Sequence, residues 1–207
     1  MSNTDIEAIT KNKKKVSLPG EILQWVAAVL AAVVIAMAIR TFIFEPVEVQ
    51  GYSMEDTLQN KERLVLYKLG YFIGEPVHGD IVVLEYKEGI FAYIPFLSAI
   101  KGLPQEIDYI KRVIAVAGDE VDIANGNVYV NGIMLREDYV KGTTKAKIFG
   151  TGIFEYPITV PEGTVFVLGD NRENSSDSRV IGFVNLEKIK GKAVFRFWPF
   201  DRTGKLE

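Results

Sequence analysis

The chain of 207 residues contains no cysteine and a single histidine, His78. The first absence excludes disulfides and thiolate metal sites. Together the two absences rule out a Cys-His pair and leave one residue at most for a Ser-His-Asp site. A serine hydrolase of this composition is best served by lysine as its base. Such a lysine must be desolvated to be neutral. An excess of positive charge is also missing: 24 basic residues stand against 27 acidic ones, a net charge of -3. Nothing in that balance points to nucleic acid as a partner. Internal repeats and low-complexity segments are absent as well. Lack of cysteine does not by itself choose a compartment.

What is present begins with an apolar run. Residues 22–39 read ILQWVAAVLAAVVIAMAI, with Gln24 the one polar side chain. Extended by Phe42-Ile43-Phe44, the run is long enough, at about 1.5 Å per residue, to cross a hydrocarbon core of about 30 Å. Lys11, Lys13, Lys14 and Lys15 precede it, and Trp25 falls near the same end. The positive-inside rule then predicts a cytoplasmic amino terminus with the rest of the chain outside. A cleaved signal peptide has the same charge order, and Ala36-Met37-Ala38 resembles an A-x-A cleavage site. A buried core helix is the third reading. The run exceeds the roughly 7–15 residues of a signal-peptide apolar region, which favours a retained, single-pass anchor. The expected division is a basic amino terminus at 1–20, a transmembrane anchor at 21–44, and an extracytoplasmic domain at 45–207.

Beyond Phe44 the pattern changes to short strand-like runs: Val47-Glu48-Val49, Arg63 to Tyr67, Asp80 to Leu84, Ile110 to Val116, Thr164 to Leu168 and Ala193 to Trp198. Val121-Asp122-Ile123 and Val128-Tyr129-Val130 flank Asn125-Gly126, a strong hairpin signal, and Asn131-Gly132 marks a second turn. The reading is a mainly β domain preceded by one amino-terminal helix. Residues 133–160, polar and glycine-rich, are expected to form a small β subdomain. Residues 89–107 look inserted. Their Phe91, Tyr93, Phe96 and Leu97 either dip into a membrane or cover the core. Asn185 to Lys190 adds a short helical turn.

Three polar features stand out against this frame. Ser53 follows Gly51, whose missing side chain leaves room for backbone approach, so the turn can aim N–H groups at a developing oxyanion. Taken alone, a serine in such a turn is more often structural. Lys111 lies in an apolar strand-like run, Tyr109 to Val113. It is either a surface residue or, if buried, an amine with a lowered pKa. The loop Gly169 to Arg179 is dense in Asp, Asn and Ser, which also suits a self-capped turn.

The segments GYSMEDTL (51–58), GDIVVL (79–84), YIKRVIAVAGDEV (109–121) and VLGDNRENSSDSR (167–179), in this order behind an apolar anchor, resemble the type I signal peptidases. These are membrane-anchored Ser-Lys proteases that remove signal peptides. Lysine at 111, where a related subgroup carries histidine, is similar to the bacterial type. The resemblance implies a β-rich catalytic domain with Ser53 as nucleophile and Lys111 as general base. It makes Ser175 the serine that orients the lysine, and Asp177 and Arg179 a supporting ion pair. The Ser53 N–H becomes an oxyanion donor. Gly51 stands where some members carry a serine, so only backbone can serve there, and Asp56 stands where proline is usual. Val47, Val49, Met54, Leu58, Tyr109 and Ile110 match positions that line pockets for small residues before the cut. The implied partners are exported preproteins and the bilayer, with the secretion translocase as a further possibility and no cofactor or metal. Ala36-Met37-Ala38 then becomes a candidate for self-cleavage. The rivals are a self-cleaving repressor, which needs a DNA-binding helical module; an anchored scaffold with a dead site; and an acid hydrolase built on Asp170 and Asp177.

Overall fold

The computed structural model describes residues 18–87, 106–147 and 153–206. The expected insertion at 89–107 therefore lies outside the described residues except for its last two, and so does the basic cluster at 11–15.

Helix α1 runs Leu18–Phe42 and is exposed along the residues from Glu21 onward. At about 1.5 Å per residue it is roughly 37 Å long. It is apolar on every side, the pattern of a helix solvated by lipid rather than packed on a core. Within it, Glu21–Phe42 is the one span among the described residues long and apolar enough to cross a membrane. The chain divides into two compact units, residues 1–41 and 42–207.

The second unit is mainly β. Its strands are β1 (Phe44–Glu48), β2 (Arg63–Tyr67), β3 (Ile81–Lys87), β4 (Glu106–Val116), β5 (Glu120–Ala124), β6 (Asn127–Val130), β7 (Ile133–Met134), β8 (Ile158–Thr159), β9 (Thr164–Leu168), β10 (Val184–Asn185), β11 (Ile189–Trp198) and β12 (Gly204–Lys205). Short helices α2 (Gly70–Ile73) and α3 (Ser178–Ile181) interrupt them, and Leu186–Lys188 forms a 3₁₀ turn where a short helical turn was expected. Among the described residues the large sheet has the order β1-β2-β11-β3-β4-β9-β10, with β12 paired to β11, every pair antiparallel. A smaller sheet has the order β7-β6-β5-β8. Alternation sets the inward faces: Leu64 and Leu66 are fully buried on β2, and Val121, Ile123, Val128 and Val130 on β5 and β6. A buried side chain of this kind contributes about 1.5–3 kcal/mol. Asn125-Gly126 and Asn131-Gly132 turn the chain between β5, β6 and β7, all four residues at positive φ as tight two-residue hairpins require.

Of residues 133–160, Ile133–Met134 and Ile158–Thr159 are strands of the smaller sheet. The smaller sheet begins at Glu120, and its apolar face has no core of its own. Val121, Ile123, Val128 and Val130 pack with Ile114 and Ala115 of β4 and Phe166 and Leu168 of β9. Each hairpin strand is too short to bury its apolar side alone, so it closes over the larger sheet.

Candidate active site

The Ser53 turn lies between β1 and β2. Met54 and Leu58, one helical turn apart and linked by a 2.8 Å bond from the Leu58 N–H to the Met54 carbonyl, drop fully into the core with Leu64, Leu66 and Ile110. That burial holds the turn on the sheet and leaves Ser53 half-buried at its rim. Gly51 takes a φ of 96°, a conformation that side chains disfavour.

Lys111 sits on β4, paired with Val82 of β3. On its other side β9 ends at Leu168, opposite Arg112, so the chain beside Lys111 has already left the sheet for the 169–177 loop. Lys111 is 2% exposed. Its Nζ donates to Ser53 Oγ at 2.9 Å and to the Ile110 carbonyl at 3.0 Å, and lies 4.9 Å from the Tyr109 ring centre. Among the described residues no carboxylate forms an ion pair with it. Burial pulls its pKa down to about 8 from 10.5, while the charges of Asp177 and Asp170 pull the other way. Both of those carboxylates are already engaged by arginine, which blunts their effect. A hydroxyl within reach of an amine that is neutral near pH 8 can act as nucleophile and base.

The polar loop clamps this pair from beneath. Asp177 and Arg179 form a two-pronged pair, Arg179 Nε to Oδ1 at 2.8 Å and Nη2 to Oδ2 at 2.7 Å, both side chains fully buried. Asp177 also accepts the Gly169 N–H at 3.1 Å and caps α3 through the Arg179 N–H. Asn171 donates its N–H to the Ser53 carbonyl and its side-chain amide to the Tyr52 carbonyl, each at 3.0 Å. Gly169 is the crossing point. A β-carbon there would lie 2.2 Å from Ser175 Oγ and 2.5 Å from the Ser53 carbonyl oxygen. No side chain fits.

The Ser175 hydroxyl is buried and, among the described residues, has no hydrogen-bond partner. The second bond on the lysine amine goes to the Ile110 carbonyl. Of the six expected pocket residues, Val49, Met54, Tyr109 and Ile110 line a cleft of about 300 Å³ together with Ser53 and Lys111. Leu58 does not; it is a core residue, and Val47 packs against the same core. Both sit inward for the same reason, as apolar members of a turn and strand anchored on the sheet.

Sequence reasoning missed a second set of contacts, and met its Asp170 only as half of a rival acid pair. Arg112, next to Lys111, forks onto Asp170 at 3.0 and 2.8 Å, donates to the Gly79 carbonyl, and stacks 3.9 Å over the Tyr139 ring. Thr57 donates to the same Asp170 at 2.6 Å. Arg172, fully buried, pairs with Glu137 and donates to Thr144 Oγ1 at 2.6 Å. The available signal was Arg112 itself: a guanidinium inside an apolar strand needs a carboxylate. Asp56 is exposed, and its carboxylate with that of Glu55 meets Lys141 Nζ at 3.4 and 3.2 Å.

The family model described as "Signal peptidase, peptidase S26" matches residues 22–198. The chain belongs to the signal peptidase family, peptidase S26. Members of that family most similar to it include a probable signal peptidase I-2 of Synechocystis sp., 40% identical over 94% of this chain and 82% of that protein. The signal peptidase I of Bacillus licheniformis is 36% identical over 94% and 98%, and signal peptidase I S of Bacillus subtilis (strain 168) is 37% identical over 93% and 97%. As a peptidase S26 member the chain is a serine endopeptidase, a hydrolase with one apolar amino-terminal helix that suits membrane anchoring.

Proposed function

We propose that this chain removes signal peptides from exported preproteins, with Ser53 as nucleophile and Lys111 as general base. The observation that carries the reading is the 2.9 Å approach of a buried, unpaired amine to a half-buried hydroxyl in one cleft. The neutral amine takes the Ser53 proton as Oγ attacks the carbonyl carbon before the scissile bond. The charge that develops on the carbonyl oxygen is met by the Ser53 N–H. The Lys111 ammonium then protonates the leaving amine as the C–N bond breaks, and the amine that remains activates water against the acyl-serine ester. The small cleft lined by Val49, Met54, Tyr109 and Ile110 supports a preference for small side chains before the cut, in a small-x-small pattern. Asp177–Arg179 and Asn171 hold the frame. The charge order around α1 supports a cytoplasmic amino terminus and an active domain, residues 45–207, on the outer side, where exported substrates emerge.

Cleavage of a synthetic preprotein carrying an Ala-x-Ala site tests the reading. Wild type should cut after the second alanine, and Ser53→Ala and Lys111→Ala should both be inactive. Persistent cleavage by the Lys111 variant would hand the base role to another group. Orientation is tested separately: protease added to intact cells should remove the domain and spare the helix.

A further inference from the structure

The Ser53 turn is the tip of a loop that leaves the sheet after Val49 and returns at Glu62. Three bonds close its neck. The Val49 N–H donates to the Glu62 carbonyl, and the Lys61 N–H donates to the Val49 carbonyl, both at 2.8 Å. The third has a side chain in place of a backbone partner: the Gly51 N–H donates to Asn60 Oδ1 at 3.1 Å. The return segment is a tight turn in which the Glu62 N–H meets the Gln59 carbonyl at 3.2 Å. Within it Lys61 adopts a φ of 70°, a region that disfavours any residue with a β-carbon. Strain of this kind persists where the surroundings over-determine it, and it clusters at functional sites. Here it belongs to the turn that sets Asn60 across from Gly51.

The consequence falls on Ser53. With its N–H held by Asn60, Gly51 is anchored ahead of the nucleophile. On the other side Asn171 binds the Tyr52 and Ser53 carbonyls. A trans peptide points its carbonyl and N–H in opposite directions. Holding the Tyr52 carbonyl toward Asn171 therefore turns the Ser53 N–H away from it. Among the described residues that N–H has no acceptor.

We propose that Asn60 is a positioning residue for peptide-bond cleavage: by holding the Gly51 N–H it fixes the entry of the turn, and against Asn171 it aims the Ser53 N–H at the substrate's oxyanion. The inference rests on Ser53 being the nucleophile. Asn60 does not line the cleft that holds Ser53 and Lys111, so its effect is expected in the transition state and not in binding.

The full chain in detergent, assayed on a synthetic Ala-x-Ala preprotein across pH, provides the test. Asn60→Ala should lower kcat roughly tenfold with KM within about twofold and the pH midpoint unmoved, because a misaimed donor costs less than the hundredfold or more of a deleted one. Asn60→Asp, which keeps an acceptor oxygen in place, should recover most of that kcat. A peptide boronate, whose tetrahedral adduct imitates the oxyanion, should lose affinity for Asn60→Ala in step with kcat. Asn60→Ser, polar but too short to reach Gly51, replaces the alanine variant if that one does not fold. Unchanged kcat in the variant lacking the acceptor, no recovery in Asn60→Asp, or a loss confined to KM or to the pH midpoint would overturn the proposal. A Ser53→Ala variant that still cleaves would instead sink the nucleophile assignment beneath it.

Discussion

Lys111 and Arg112 are consecutive residues on one strand, each 2% exposed, and their surroundings treat them in opposite ways. Arg112 receives a forked carboxylate, a carbonyl and an aromatic face. Lys111 receives a hydroxyl, a carbonyl and the more distant face of Tyr109, none of them charged. A planar guanidinium remains ionised and is matched by Asp170, so its burial is compensated. The lysine charge is left uncompensated, and the amine yields by releasing its proton at lower pH. One position holds the frame together, whereas the other is costly, and its neutral form is the one the proposed mechanism uses. The same contrast separates the loop beneath the cleft, where Asp177–Arg179 and Glu137–Arg172 are fully matched, from the cleft itself.

Several substitutions can break this contrast. The largest effect on rate is expected from Lys111→Met, which keeps the bulk and loses the proposed base: kcat/KM should fall roughly a thousandfold or more in preprotein cleavage. Its stability should move the other way. Lys111 ionises at about 8 folded and 10.5 unfolded, so below pH 8 the buried ammonium costs about 3 kcal/mol, by 1.36 kcal/mol per unit. The unfolded chain binds the extra proton between those values, so this group makes wild type gain stability as pH rises from about 8 to about 10.5. In denaturant melts Lys111→Met should be more stable than wild type at pH 7, by a margin that closes above pH 10. A variant that melts earlier at pH 7 would mean the lysine is compensated after all.

Arg112→Met and Asp177→Asn should behave in the opposite way. Each strands a buried charge, a change worth about 3–5 kcal/mol, so both should melt many degrees lower. Activity should fall with folding and return in part when the temperature is lowered. If Arg112→Met melts like wild type, the paired half of the comparison fails.

The pH profile sharpens the unpaired half. Single-turnover acylation should rise with slope one up to a midpoint near 8 and level off above it, following the neutral amine. A rate already flat from pH 5 upward would indicate a carboxylate base. The smallest effect belongs to His78. It pairs with Asp119 at the surface, 2.7 Å away, and His78→Ala should leave the rate within about twofold and the melt nearly unchanged.

Much of the frame was legible in the order of residues. The run at 22–39 could be read because hydrocarbon imposes one continuous pattern on a spanning helix. The hairpins at Asn125-Gly126 and Asn131-Gly132 could be read because positive φ at both turn positions restricts the residue choice. Ser53, Lys111, Asp177 and Arg179 were singled out through motif order, and they meet as two contacting pairs. Less visible were Arg112–Asp170, Thr57–Asp170 and Asn171 against Tyr52 and Ser53, which join residues 58, 113, 119 and 118 positions apart. Nothing local in a threonine or an asparagine announces such a partner. The carbonyl of Ile110 on the lysine amine was equally invisible, because any residue offers a backbone carbonyl.

The sequence by itself determined the periodic elements and narrowed the chemistry. A chain with no cysteine and a single histidine favours lysine as the base of a serine nucleophile, and alternation decides which side of each strand faces inward. Only the tertiary structure decided the state of Lys111. Whether a lysine in an apolar run is charged depends on what surrounds its amine, and here that depends on β9 ending one residue early, on Gly169 admitting the Ser53 turn, and on arginines occupying both nearby carboxylates. Those are distances between segments far apart in the chain, and a pKa is set by distance and burial, not by sequence neighbours.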